Sequence, residues 1–222
     1  MMRSTFLLLL LAACAAPAPE PVPAETSACP DSPEYARCMA RAEATAIAAT
    51  GGRVERKGDT LVIRGTERSR LALGNVREPE SATRVFRYER FVPEIGAHLV
   101  EIGHYEGGGW LLVDARTANQ MHVLGRPVVS PGRTRFAAAG LDLVAGYDPN
   151  GVQVWRVTEH GPRLELGIEG GDQWGVSGLA WAGEDVLYFT RHDPTPDPER
   201  TLQRRMRLKL DGPGLTLAPA PR

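Results

Sequence analysis

An excess of charge of either sign is missing from this 222-residue chain, in which 26 Lys+Arg stand against 27 Asp+Glu for a formal net charge of −1. Without a basic excess there is no electrostatic footprint for nucleic acid, and no such partner is expected. Lysine itself is almost absent, Lys57 and Lys209 being the only two, so the positive charge is nearly all arginine. No apolar run is long enough to cross a bilayer. Phe6 to Leu11, followed by Ala12 and Ala13, falls well short of the roughly 20 residues a spanning helix needs. Catalytic signatures are missing too: there is no Gly-x-Ser-x-Gly, no phosphate-binding glycine loop and no His-Glu-x-x-His. Gly107-Gly108-Gly109 precedes a strand pattern rather than a helix, so it offers no helix N-terminus to a phosphate. What is present, 42% hydrophobic and 24% charged residues, describes an ordinary globular domain.

The N-terminus reads as an address. A single basic residue, Arg3, a short apolar stretch and small residues form the pattern of a secretory signal peptide. It ends in Leu11-Ala12-Ala13-Cys14, and here the chain resembles the bacterial lipoproteins. That resemblance implies cleavage after Ala13, a diacylglycerol on the Cys14 thiol and acylation of the new amino group. Such acyl chains hold a soluble domain on a membrane at ~0.8 kcal/mol per buried methylene. Ala15, where an aspartate would imply inner-membrane retention by analogy with that family, points to the periplasmic face of the outer membrane; the inner membrane is the alternative. Prolines at 17, 19, 21 and 23 favour an extended tether able to hold the domain about 40 Å from its anchor, at ~3.1 Å per residue.

With Cys14 assigned to lipid, Cys29 and Cys38 remain as an even pair in an oxidising compartment and are expected to form a disulfide. Ser32-Pro33-Glu34 reads as a helix start, with serine as N-cap and proline at the first helical position. The helix should run to about Ala49, end at Thr50-Gly51-Gly52, and place Tyr35, Met39, Ala42 and Ala46 on one face. The chain thus divides into a signal peptide over 1–13, a lipidated cysteine and tether over 14–28, a disulfide-pinned helix over 29–52 and a β-repeat domain over 53–222.

Beyond Gly52 the apolar residues alternate, in short runs broken by Gly, Pro, Asp and Asn, giving fifteen candidate strands at ten- to twelve-residue intervals. Among them are Thr60–Arg64, Arg84–Phe91, Leu141–Gly146 and Gln153–Thr158. Residues 104–113 match 146–155 at an offset of 42, with tyrosine, acid and glycine coinciding. Val129-Ser130-Pro131 matches Trp181-Ala182-Gly183 at an offset of 52, and Phe91-Val92-Pro93 is a weaker third copy. Units of that size, with about four strands each, suit the blade of a β-propeller. The turn Ser130-Pro131-Gly132-Arg133, followed by Phe136, resembles the Ser-Pro-Asp-Gly turn of the WD40-like repeats in TolB-type periplasmic propellers, though without its aspartate. The fold expected is mainly β: a propeller-like array of three to four four-stranded antiparallel units preceded by one N-terminal helix. A β-sandwich or half-open barrel is the alternative; an array left open could wrap into a sandwich or have its bare edge covered by the N-terminal helix.

No cofactor or metal set emerges. His98, His104 and Glu106 make a conceivable metal group, but Gly103 and the following turn disfavour a common geometry. His122 and His160 lack ligating neighbours. The segment from His192 to Arg204, with Asp193, Asp197 and Glu199, lacks the spacing of a calcium loop. Trp110, Trp155 and Trp181 are expected in the core and Trp174 at the surface. The arginines Arg200, Arg204, Arg205 and Arg207 read as a solvated strand face. One constellation follows from the repeat: segments 104–109, 146–151 and 192–205, read as joining one unit to the next, should emerge on a common rim. That rim would gather Tyr105, Glu106, Tyr147, Asp148, Asn150, His192 and Asp193 as a partner-binding surface with tyrosine anchors. The expected role is a non-catalytic binding or scaffolding lipoprotein recognising an envelope protein or peptide. The alternative is a glycan-binding protein or glycan-acting enzyme using acids such as Glu106, Asp148 or Asp193.

Overall fold

The computed structural model describes Cys29 and residues 34–197, 200–210 and 216–220. The signal segment, Cys14, the tether, and the Ser32 and Pro33 expected to start the helix lie outside the described residues. The helix α1 (Tyr35–Ala48) begins after Glu34 without a side-chain cap. Cys29 and Cys38 have their sulfurs at bonding distance, 2.01 Å, which ties the described N-terminal residue to the first turns of α1. The packed face of α1 is rotated from the expected one. Tyr35 and Ala42 are exposed, whereas Met39, Glu43, Ala46 and Ile47, at helical spacing, turn toward the sheets.

Four antiparallel meanders follow. The first sheet holds β1 (Val54–Lys57), β2 (Thr60–Arg64) and β3 (Arg70–Gly74). The second holds β4 (Arg84–Val92), β5 (Ala97–His104), β6 (Gly108–Asp114) and β7 (Gln120–Val123). The third holds β8 (Val128–Val129), β9 (Arg135–Gly140), β10 (Gly151–Arg156) and β11 (Arg163–Glu169). The fourth holds β12 (Gly175–Trp181), β13 (Val186–Pro194), β14 (Thr201–Lys209) and β15 (Thr216–Pro219). The internal matches are thereby explained. The offset of 42 superposes β6 on β10, the third strands of adjacent sheets. The offset of 52 superposes the β8–β9 turn on the β12–β13 turn.

The sheets stack in chain order. Val100 and Ile102 of β5 face the core between the first and second sheets, with Leu61, Ile63 and Phe86. Ala97 and Leu99, on the opposite face of the same strand, join Phe136 and Trp155 in the core between the second and third. This two-sided burial is what the period of two allows in a strand apolar on both faces. A third core, with Val152, Val154, Phe189 and Leu208, joins the third and fourth sheets. Among the described residues no such core joins the fourth sheet back to the first. The four-stranded antiparallel unit is therefore present, but the sheets do not close into the ring of a propeller; they pack face to face in the manner of the sandwich alternative.

Two local differences from the sequence reading have physical causes. Leu141–Gly146 is a loop rather than a strand, because the Asp142 side chain collects the backbone amides that follow it. Val128–Val129, between Pro127 and Ser130, forms a strand too short to show a period. The Ser130-Pro131-Gly132-Arg133 turn lacks its own carboxylate and takes one from the equivalent turn of the next sheet. Glu184 there accepts hydrogen bonds from the Ser130 hydroxyl (2.7 Å), the Gly132 amide and the Thr134 hydroxyl.

The open edge of the second sheet is closed by side chains. Arg84 exchanges backbone bonds with Val76 at 2.8 Å, after which no strand among the described residues continues alongside β4. The Asn75 side-chain oxygen then accepts from the Phe86 amide (2.9 Å). Arg56 donates to the Phe86 carbonyl (2.6 Å), and Glu43 of α1 accepts from the Tyr88 amide (2.8 Å). Glu43 and Arg56 are themselves paired. Three side chains thus stand in for a neighbouring strand, and the N-terminal helix covers an edge, one of the two ways open to an unclosed array.

Candidate binding rim and cleft

The three segments expected on the rim are hairpin connections within sheets, not links between them. Residues 105–107 join β5 to β6, 141–150 join β9 to β10, and 195–200 join β13 to β14. Each connects the second strand of its sheet to the third, so all three leave at the corresponding end.

The second of these loops is built around Asp142. Its carboxylate accepts from the amides of Ala145 (3.0 Å), Gly146 (3.1 Å), Tyr147 (2.7 Å) and Asp148 (2.9 Å). The Asp148 amide foremost, with the others, holds the Asp142 carboxyl below the ordinary carboxylate range against an opposing desolvation. A second carboxylate crosses between sheets: Asp148 accepts from the Gly108 amide at 2.8 Å. The contact is so close that a Cβ at Gly107, whose φ is +97°, would lie 2.8 Å from Asp148 Oδ1 and from Tyr147 Cβ. Glycine is the residue that fits there. Glu106, first as a hydrogen-bonding neighbour and then through its charge, raises the pKa of the Tyr147 phenol.

Tyr105, Glu106, Tyr147 and Asp148 therefore meet where two hairpins touch. Tyr105 is 56% and Tyr147 54% exposed, and the neighbouring Val144 is 81% exposed. The other three rim residues have internal roles. Asn150 is buried, accepting from the Asp142 amide (2.5 Å) and donating to the carbonyls of Asp142 (2.9 Å) and Gly171 (3.0 Å), which links the third sheet to the approach of the fourth. His192 is buried between the Ser177 hydroxyl (2.7 Å) and the Thr201 hydroxyl (3.1 Å), joining three adjacent strands. Burial lowers its pKa, opposed by Asp193. Asp193 is 2.6 Å from Arg191 and 3.6 Å from Arg204. Trp174 is not a surface platform: it packs on the core between the third and fourth sheets beneath the Arg191 guanidinium, 4.9 Å above its ring.

The hairpin contact forms one lip of a cleft of about 670 Å³. Its floor is the open end of the core between the first two sheets, at Leu73, Phe86, Ile102 and Leu111. Its walls include Leu71 to Gly74 of β3, His122 of β7, Trp110 of β6, and Tyr147, Asp148 and Glu169 from the third sheet. The Arg126 guanidinium lies 4.6 Å from the Trp110 ring. His98, in contrast, is 1% exposed and belongs to the interior, while His104 contacts the Thr83 carbonyl at 3.3 Å. Among the described residues no group of three or more His, Cys, Asp or Glu side chains is placed to hold a metal.

No protein-family model matches the chain, and no curated protein matches it in sequence. A solved puromycin-hydrolysing peptidase of Mycobacterium tuberculosis is similar at 17% identity and a TM-score of 0.36. The match covers 75% of this chain and 29% of that one. The geometry of the rim and cleft therefore carries the functional reading by itself.

Asp142 and the cleft were missed from sequence. The signal available for Asp142 was an aspartate four residues before Gly146, in a stretch that runs on into Asp148-Pro149-Asn150-Gly151, which favours a side-chain-capped turn over a strand. Replacing Asp142 with alanine is expected to speed hydrogen exchange at the 145–148 amides by tenfold or more. It should also lower stability by about 1–2 kcal/mol as their acceptor is lost. Exchange measured by NMR in Asp142→Ala and the parent checks both.

Proposed function

We propose that this protein is a lipid-anchored binding or scaffolding module at the periplasmic face of the outer membrane, recognising another envelope protein or peptide without catalysis of its own. The observation that carries the reading is the display of half-exposed tyrosines, Tyr105 and Tyr147, on hairpins whose backbone is pinned by Asp142 and Asp148. Aromatic side chains carried on a backbone already fixed before binding need little further ordering on contact, which is the property of an interface anchor. The lipobox at Leu11–Cys14 and the proline-rich tether supply the anchoring half of the proposal. The open stack of blade-sized sheets is taken as the scaffold that carries the hairpins.

The full chain, used as bait in envelope extract beside a Tyr105→Ala, Tyr147→Ala variant, tests this. A captured protein whose affinity falls at least tenfold in a variant with unchanged melting supports the rim. Equal capture by both chains overturns it. Retention on purified cell-wall material instead shifts the reading to glycan, which the placement of Trp110, Asp148 and Glu169 around the cleft also suits.

A further inference from the structure

Among the described residues, the first sheet is one strand short of the others. The second, third and fourth sheets each contain four strands, and the first ends at β3. The register of β2 against β3 shows which way the edge groups of β3 point. The Asn75 amide bonds the Asp59 carbonyl and the Gly65 amide bonds the Ser69 carbonyl, at the two ends of the ladder. The pairs Leu61–Leu73 and Ile63–Leu71 lie in step with these. Leu71 and Leu73 therefore direct their backbone groups toward β2, and Arg70, Ala72 and Gly74 direct theirs outward. Among the described residues nothing bonds the outward groups of Ala72 or Gly74. A Cβ built on Gly74 meets no heavy atom within 4 Å.

This bare edge borders the cleft, since the four consecutive residues Leu71 to Gly74 line it. Alternating N–H and C=O groups repeating every second residue are matched by an extended backbone and by little else. Side chains on such a backbone would alternate in environment. Those opposite Leu71 and Leu73 would share their face and enter the apolar end of the core at Phe86 and Ile102. Those opposite Ala72 and Gly74 would face solvent.

The geometry points to β3 as a strand-addition site, where an extended segment of a partner protein, apolar at alternate positions, becomes the fourth strand of the first sheet. The inference rests on the binding reading above and names how the partner is held. Tyr147 and Asp148, on the lip of the same cleft, place the rim beside this edge.

The full chain, extracted in detergent, is screened against displayed short random peptides, and the enriched peptides are resynthesised. The expected result is a set with alternating apolar residues that slows hydrogen exchange at the Ala72 and Gly74 amides. Methylating the peptide amides that face β3 should weaken binding about tenfold or more, as two lost hydrogen bonds imply. Methylating the intervening amides should leave affinity unchanged. The Ala72→Pro variant, which removes an outward N–H without breaking the β2 ladder, should lose the same peptides while melting like the parent. No enriched peptide, or enriched peptides indifferent to which amides are methylated, overturns strand addition. If the tyrosine-dependent capture described above persists in that event, the binding reading stands without it. Protection of Ala72 and Gly74 in the free full chain also overturns it, since the edge is then already occupied by the chain itself.

Discussion

Glu43→Ala is expected to destabilise the protein by about 2 kcal/mol and to make it associate. Glu43 has two partners, the Tyr88 amide at the edge of β4 and the Arg56 guanidinium. Both sit where water has limited access, the Glu43 and Arg56 side chains being 16% and 23% exposed. Removing one member of such a pair leaves the other charge and an edge N–H poorly compensated, which costs about 3–5 kcal/mol for a fully buried pair and less here. The truncation also uncovers main-chain groups of a nine-residue strand, the kind of template on which chains add to one another. Glu43→Gln keeps an oxygen for the Tyr88 amide and should recover part of the loss and most of the monomeric behaviour. Urea midpoints with light scattering separate the two effects. A Glu43→Ala chain that melts with the parent and does not associate would show the edge to be protected by other means.

That edge also shows how far the sequence could be read. The helical period after Glu34, the alternation after Gly52 and the repeated turns were legible because each is a local pattern. So was the need to cover a sheet edge. Which residues would cover it was not, since Glu43, Arg56 and Asn75 are ordinary polar residues whose role depends on where β4 comes to lie. The rim followed the same division. The proximity of Tyr105 and Tyr147 was legible because the repeat places their hairpins alike, and the Asp148–Gly108 bond holds those hairpins together. Asn150, His192 and Asp193 fell in equivalent stretches of chain, but burial gave each internal partners that spacing alone does not reveal. The cleft combines the edge of β3 with the loop before β10, far apart in sequence. Closure of the sheets was equally illegible, because it depends on summed angles between packed faces rather than on any residue pattern.

A titration should expose the buried imidazole. His98 is 1% exposed, 3.0 Å from the Tyr88 hydroxyl through Nδ1, with Nε2 buried and without a hydrogen-bond partner among the described residues. Burial, helped by the positive charge of Arg53 and opposed by Asp114, pushes its pKa down to about 4. The same burial raises the Tyr88 phenol well above its ordinary range, so the hydroxyl stays neutral. In the unfolded chain the imidazole returns to about 6.5. Between those two values the unfolded state binds a proton that the native state refuses, so stability falls as pH is lowered. The His98 contribution is complete above pH 6.5, declines by about 1.4 kcal/mol per unit below it, and is spent near pH 4, a total of about 3 kcal/mol. His192, also shifted down by burial, adds a smaller decline of the same sign. Carboxylates held low by their partners, Asp142 and Glu165 among them, act chiefly at the acid end of this window and below it. Urea denaturation from pH 8 to pH 5 should therefore show a slope that His98→Gln largely removes, leaving the His192 remainder. The variant is expected to be less stable than the parent at pH 8 and to approach or overtake it near pH 5. Parallel curves for the two proteins would mean that the imidazole is protonated inside the fold, with Asp114 outweighing burial.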